Sequence, residues 1–117
     1  MSFERKKLGA TGEDLALNYL RKKGYRLIDQ NVRLFCGEID ILMQDKETLV
    51  IVEVKTKSNL DFGLPQEEVD HHKQYKLRQL AGALAQKFPE SLIRIDVVAV
   101  DDGADSIDHI INAVEGV

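Results

Sequence analysis

Gly37-Glu-Ile-Asp-Ile-Leu-Met43 lies only four residues before Thr48-Leu-Val-Ile-Val-Glu-Val-Lys55, and this pair of period-two segments constrains the fold more than any other feature of the chain. Along the first segment Glu38, Asp40 and Leu42 share one face, and Ile39, Ile41 and Met43 take the other. Along the second, Val50, Val52 and Val54 oppose Ile51, Glu53 and Lys55. A tight turn centred between Lys46 and Glu47 makes paired positions sum to 93, which sets Asp40 opposite Glu53 and Glu38 opposite Lys55. Three carboxylates and one ammonium then share a patch. A loop of odd length would slip the register by one residue and change every pairing.

A chain of 117 residues with 44% hydrophobic content suits a single domain over 1–117, because that length buries a core without disulfides or metals. The lone Cys36 cannot form an internal bridge, and the mostly charged start Met1-Ser-Phe-Glu-Arg-Lys-Lys7 is unlike a signal peptide. A cytoplasmic, reducing location is the expectation. No apolar run approaches the roughly 20 residues that span a bilayer, so no membrane role is expected. The net charge of −4 argues mildly against a general nucleic-acid coat, but the charge is uneven: residues 1–57 carry 11 basic and 9 acidic side chains, and residues 58–117 carry 5 and 11. Arg5-Lys6-Lys7 and Arg21-Lys22-Lys23, with Arg26, Arg33, Lys55 and Lys57, are candidates for a surface facing a phosphate backbone. Each basic triplet taken alone reads as a solvated helix end.

Leu8, Gly12, Leu15, Ala16, Tyr19 and Leu20 recur at helical spacing and Gly24 supplies a stop, so an amphipathic helix is expected near 8–23. Residues 25–33 read as a strand, followed by strands near 37–44 and 48–56 in an antiparallel meander. Ser58–Pro65 is loop-like, and Pro65 with Gln66, Glu67 and Glu68 suits the first turn of a long helix. The stripe of that helix is Val69, Leu77, Leu80, Ala81, Leu84, Ala85 and Phe88, and Pro89 ends it. Leu92–Val100 is a strand, Asp101–Asp105 a turn, and Ile107–Asn112 a weak final strand. The order is αβββαββ, an α/β fold with a mixed sheet flanked by helices, the long helix serving as crossover.

A phosphodiester is protected from water by its own charge, so a catalyst must neutralise charge in the transition state and supply deprotonated water. Mg²⁺ (or Mn²⁺) serves both ends, and it is held by one or two carboxylates on a rigid element while keeping several waters. Asp40 and Glu53 fit that demand, and Lys55 projects beside Glu53 to orient water or pair with phosphate.

Asp40, Glu53-Val54-Lys55 and a preceding helical Glu13 resemble the PD-(D/E)XK nuclease superfamily, close to archaeal Holliday-junction resolvases. Gly12-Glu13, Gly24-Tyr25, Asn31, Gly37–Asp40, Val52–Lys55, Phe62-Gly63, Lys73 and Arg94-Ile-Asp96 together resemble the bacterial YraN-like family of uncharacterised proteins, over nearly the whole chain. The resemblance implies a restriction-endonuclease-like sheet, Asp40 and Glu53 as metal ligands, Lys55 as the catalytic lysine, and Glu13 as a further acid at the site. Ile39 stands where the superfamily has its leading proline, and Lys57 stands where YraN-like relatives carry arginine, keeping the charge without bidentate phosphate contact.

Structural readings stand beside these. Glu38 serves either the site or a cross-strand ion pair with Lys55, and Glu13 is either a ligand or a first-turn acid favoured by the helix dipole. Lys73 either reaches toward phosphate or snorkels, with snorkelling favoured, and Asp96 counts as structural, buried against a helix end or an arginine. His71 and His72 point apart, His109 is isolated, and Cys36 is a small turn residue, so neither a histidine metal site nor a cysteine nucleophile is expected. The leading expectation is a Mg²⁺-dependent endonuclease acting on branched or single-stranded DNA, with Arg33, Lys57 and Lys73 on the nucleic acid. The alternatives are a non-catalytic nucleic-acid-binding module or a protein-interaction domain. Resolvases of this type commonly act as dimers, yet no self-complementary surface is identifiable in the sequence.

Overall fold

The computed structural model describes residues 2–57, 71–101 and 106–114, with side chains described from residue 12 onward, Lys57 excepted. Its elements are α1 (Ser2–Lys22), β1 (Arg26–Leu34), β2 (Gly37–Asp45), β3 (Thr48–Lys57), α2 (His71–Lys87), β4 (Leu92–Asp101) and β5 (Ser106–Ile110). The order is the expected αβββαββ, and the strands form one five-stranded sheet in the order β1-β2-β3-β4-β5. Only β3 and β4 run parallel, from Thr48↔Leu92 to Lys57↔Asp101, and α2 lies on the connection between them. The Ser58–Pro65 loop, the first turn at Pro65–Glu68, Val69 and most of the Asp101–Asp105 turn lie outside the described residues.

Each face of the sheet carries one helix. Ala16, Leu17 and Leu20 of α1 pack with Ile41, Met43, Val50, Val52, Val98 and Val100, while Leu77, Leu80, Ala81 and Leu84 of α2 pack with Leu42, Leu49, Ile51, Ile95 and Val97. Period-two alternation in β2, β3 and β4 supplies both cores from the same strands. Phe88, expected on the buried stripe of α2, lies just past the helix end and is 41% exposed.

Gly24 closes α1 as expected. It takes φ 100°, its N–H donates to Arg21 O at 3.0 Å, and the Tyr25 N–H donates to Leu20 O at 3.0 Å, the paired bonds of a Schellman end. The β2–β3 hairpin has the expected register, from Ile41↔Val52 to Asp45↔Thr48, with the turn at Lys46-Glu47. Lys46 takes φ 58°, the positive value a two-residue hairpin turn demands, without the glycine that normally announces it.

One expected facing is wrong. Ile39 packs in the α2-side core beside Leu42, whereas Ile41 and Met43 pack on the α1 side. The strand therefore changes phase at Asp40. The flanking pairs Gln30↔Ile41 and Val32↔Ile39 set Asn31 opposite Asp40, and Asn31 takes φ 56° there. A left-handed residue in one strand and a phase change in its neighbour form a local irregularity of the kind that re-aims side chains near functional sites.

Candidate metal and phosphate site

The β2–β3 ladder ends at Ile41↔Val52, one pair short of Asp40 and Glu53. Beyond that point β2 continues with β1 as far as Leu34↔Gly37, and β3 continues with β4. A cleft of about 200 Å³ lies beside this divergence, and Glu38, Asp40 and Glu53 line it together with Lys73 and Lys76 of α2. Leu77 and Leu80 form its apolar side. Asp40 and Glu53 are thus brought to one cleft, although the pair itself is not part of the hydrogen-bonded ladder.

Glu13 reaches the same group of charges from α1. Much of its surface meets solvent, yet its carboxyl is pushed up, first by partial burial and then by repulsion from Asp40, Asp14, Glu38 and Glu53. The helix is closely seated on the sheet at this point. A Cβ built on Gly12 would stand 2.5 Å from Thr56 Oγ1, so α1 crosses the end of β3 where only glycine fits without adjustment.

Lys55 stands two residues beyond Glu53 on β3, half-buried and level with Ala99, and does not line the cleft. Glu38 pairs not with Lys55 as the register suggested but with Arg33 across β1, at 3.5 Å. Those two residues are register partners, Arg33↔Glu38, which explains the exchange. Lys73 neither snorkels past the sheet nor stands clear of the acids: its Nζ lies 2.7 Å from Glu53 Oε1. The side chain of Lys57 lies outside the described residues.

A second polar constellation went unrecognised as a unit in the sequence. Asp96, fully buried, accepts from Arg94 Nε at 2.9 Å and Nη2 at 3.2 Å, from the Tyr25 hydroxyl at 3.1 Å, from His109 Nε2 at 2.8 Å and from the Asn112 backbone N–H at 3.0 Å. Despite burial, these donors hold its carboxyl down at about 2, and burial with the nearby Asp96 charge pushes the Tyr25 phenol up to about 12. Lys23 Nζ lies 2.8 Å from His109 Nδ1. An ammonium can only donate, so Nδ1 accepts and Nε2 donates to Asp96. Asp96 is structural as expected, and its arginine is Arg94. His109 is not isolated: β5 pairs it with Val98 on the face that carries Asp96. The sequence signal was the short spacing of Arg94 and Asp96 on one strand face.

Among the described residues, no three of His, Cys, Asp and Glu stand close enough to hold a metal between them. Mg²⁺ does not require three, since one or two carboxylates plus water and substrate phosphate complete its shell. The donors on this cleft are carboxylate oxygens, which fit a hard cation, and Asp40 and Glu53 are the pair that would hold it. Among the described residues no helix is long and apolar enough to cross a membrane.

A sequence profile described as the uncharacterised protein family UPF0102 matches residues 12–100. A UPF0102 protein of Caldanaerobacter subterraneus subsp. tengcongensis is 37% identical over 116 residues, covering 93% of this chain and 95% of its own length. One from Thermodesulfovibrio yellowstonii is 42% identical over 113 residues, covering 93% and 96%. Among solved structures, the crystal structure of an fdxN element excision controlling factor protein from Anabaena variabilis superposes with a TM-score of 0.52 at 16% identity, over 86% of this chain and 98% of that one. At that identity the likeness is one of fold.

Proposed function

The chain belongs to the uncharacterised UPF0102 (YraN-like) family, and from that premise, together with the likeness of its motifs to the PD-(D/E)XK superfamily, we propose that it is a Mg²⁺- or Mn²⁺-dependent endonuclease hydrolysing phosphodiesters in branched or single-stranded DNA. The observation that carries this reading is the convergence of Asp40, Glu53 and Glu38 on one cleft at the point where β2 leaves β3, with Glu13 within electrostatic reach. Asp40 and Glu53 would hold the cation, which when bound supplies charge neutralisation and a more acidic water. Lys55 would orient the attacking water or meet the scissile phosphate, and Glu13, whose carboxyl is pushed up by partial burial and by the neighbouring acids, would assist. Arg33 and Lys76 would meet flanking phosphates, with Lys73 moving from Glu53 onto substrate.

The Lys73–Glu53 pair favours a second reading, in which the scaffold binds nucleic acid without cutting it and the ion pair is permanent. One experiment separates them: junction, flap, single-stranded and duplex DNA are offered with Mg²⁺ or Mn²⁺ to the wild type, Glu53→Gln and Lys55→Ala, with metal binding followed by calorimetry. Glu53→Gln should lose metal binding and cleavage together, while Lys55→Ala keeps most metal binding and loses turnover. An inert wild type whose metal isotherm is the same in Asp40→Asn would end the catalytic reading. Salt-sensitive binding retained without cleavage would install the second.

A further inference from the structure

Phe35 is 90% exposed at the tip of the β1–β2 hairpin, the most exposed large hydrophobic residue among those described. Turn chemistry does not call for it, because two-residue hairpin loops favour Gly, Asn and Asp. Packing does not either, since its neighbours Leu34 and Cys36 turn toward the α2-side core while Phe35 turns away. Its surroundings are nonetheless specific. Arg33, with a side chain 87% exposed, shares an open depression with Phe35, Gly37 and Glu38, and Gly37 and Glu38 also line the acidic cleft. A continuous surface therefore runs from an aromatic face, past a guanidinium, to the acids on β2.

Resting on the nuclease reading of that cleft, we propose that Phe35 is a stacking platform for an unpaired DNA base, with Arg33 holding the adjoining phosphate. Every base has a π-face, so an aromatic ring beside a cation recognises single-stranded DNA without reading its sequence. A fully paired duplex offers no such face except at an end or a branch. The proposal thus defines the substrate class as DNA with an unstacked base near the cut. Asp40 lies five residues along the chain from Phe35. At about 3.3 Å per residue they span at most about 17 Å, or about five base steps at 3.4 Å, which places the unpaired base within about five nucleotides of the scissile bond.

The chain contains no tryptophan, so Phe35→Trp creates a single fluorescent reporter at the tip. It is titrated, in EDTA at low salt, with a single-stranded oligodeoxynucleotide and with an abasic strand of equal length. Phe35→Ala is titrated against single-stranded and blunt duplex DNA, and all variants are melted. The proposal expects quenching by the base-bearing strand alone, and about tenfold weaker single-strand binding by Phe35→Ala at unchanged melting temperature and duplex affinity. Equal responses to both strands, or undiminished binding by Phe35→Ala, would overturn it. So would emission that changes with protein concentration alone, which would assign the tip to contact between copies. Because EDTA removes cleavage, the two readings fail separately. Quenching in a protein that cuts nothing with Mg²⁺ or Mn²⁺ keeps the platform and drops catalysis, and cleavage without quenching does the reverse.

Discussion

Gly12→Ala sets two effects of known size against each other. Alanine improves a helix interior by about 1 kcal/mol over glycine. Its Cβ, however, would stand 2.5 Å from Thr56 Oγ1, where a carbon–oxygen contact needs about 3.3 Å. Either α1 lifts by about 0.8 Å or Thr56 rotates, and rotation gives limited relief because two of the three staggered positions on its β-carbon carry a heavy atom. Overpacking of this kind costs about 1–3 kcal/mol, so the net effect is a loss of about 0–2 kcal/mol and a melting temperature lower by up to about 10 °C. The functional effect should be larger than the stability effect. On the proposed reading Glu13, the next residue, assists the chemistry, and a displacement near 1 Å at such a group can cost about 100-fold in rate. Thr56→Ser, which leaves two clear rotamers, should restore much of both in the double variant. Thermal melts and cleavage rates of wild type, both single variants and the double variant form the cycle. A Gly12→Ala protein that melts higher than wild type, with serine adding nothing, would show that α1 is not seated on Thr56.

Asp96→Ala strands Arg94, Tyr25, His109 and the Asn112 N–H together, and urea titration at pH 7 should show a loss of about 3–5 kcal/mol. Asp96→Asn should lose less and should also flatten the acid limb of stability. The folded-state value of about 2 lies below the unfolded 3.8, so the contribution of this carboxylate, about 2–3 kcal/mol, is fully present above pH 4–5 and disappears as pH falls through about 2. Glu13 acts with opposite sign, because its raised value means that protonation relieves repulsion as pH falls. An Asp96→Asn acid limb identical to wild type would reassign the titration. Lys73→Met removes the ammonium bonded to Glu53 Oε1, so the metal-free protein should melt lower and Mn²⁺ should raise its melting temperature more than it raises that of wild type. Equal Mn²⁺ shifts would count against Glu53 as a ligand.

The elements legible in the sequence were those fixed by neighbours in the chain. The Lys46-Glu47 turn fixed the β2–β3 register because β-branched runs flank it closely, and Gly24 marked the end of α1 because the left-handed residue there is adjacent to the stripe it ends. The phase change at Asp40 was not legible, because Glu38–Ile41 alternates in residue type straight through it and the irregularity depends on Asn31 across the strand. The same holds for charges. Asp40, Glu53 and Glu38 were found because one hairpin carries them, whereas the partner of Glu38 lies on β1 and that of Glu53 on α2. His109 lies 86 residues from Lys23, and only the pairing of β4 with β5 brings it to Asp96.

These long-range contacts bear on how Glu13 is held. An apolar stripe such as Ala16, Leu17 and Leu20 resists removal from the sheet but only weakly resists sliding along it, because hydrophobic burial has no direction. Two directional contacts remove that freedom. At the middle of α1 Gly12 rests on Thr56, and just past its C-terminal end Lys23 bonds to His109, itself fixed by Asp96. The anchors are eleven residues apart, about 16 Å along a helix, so together they set both the height and the rotation of α1 over the sheet. A buried ion network contributes little net stability compared with well-packed apolar side chains, and its better-attested use is to select one register. Here that register is the one that brings the carboxylate of Glu13 toward Asp40 and Glu53, across a strand boundary that the sheet has already opened.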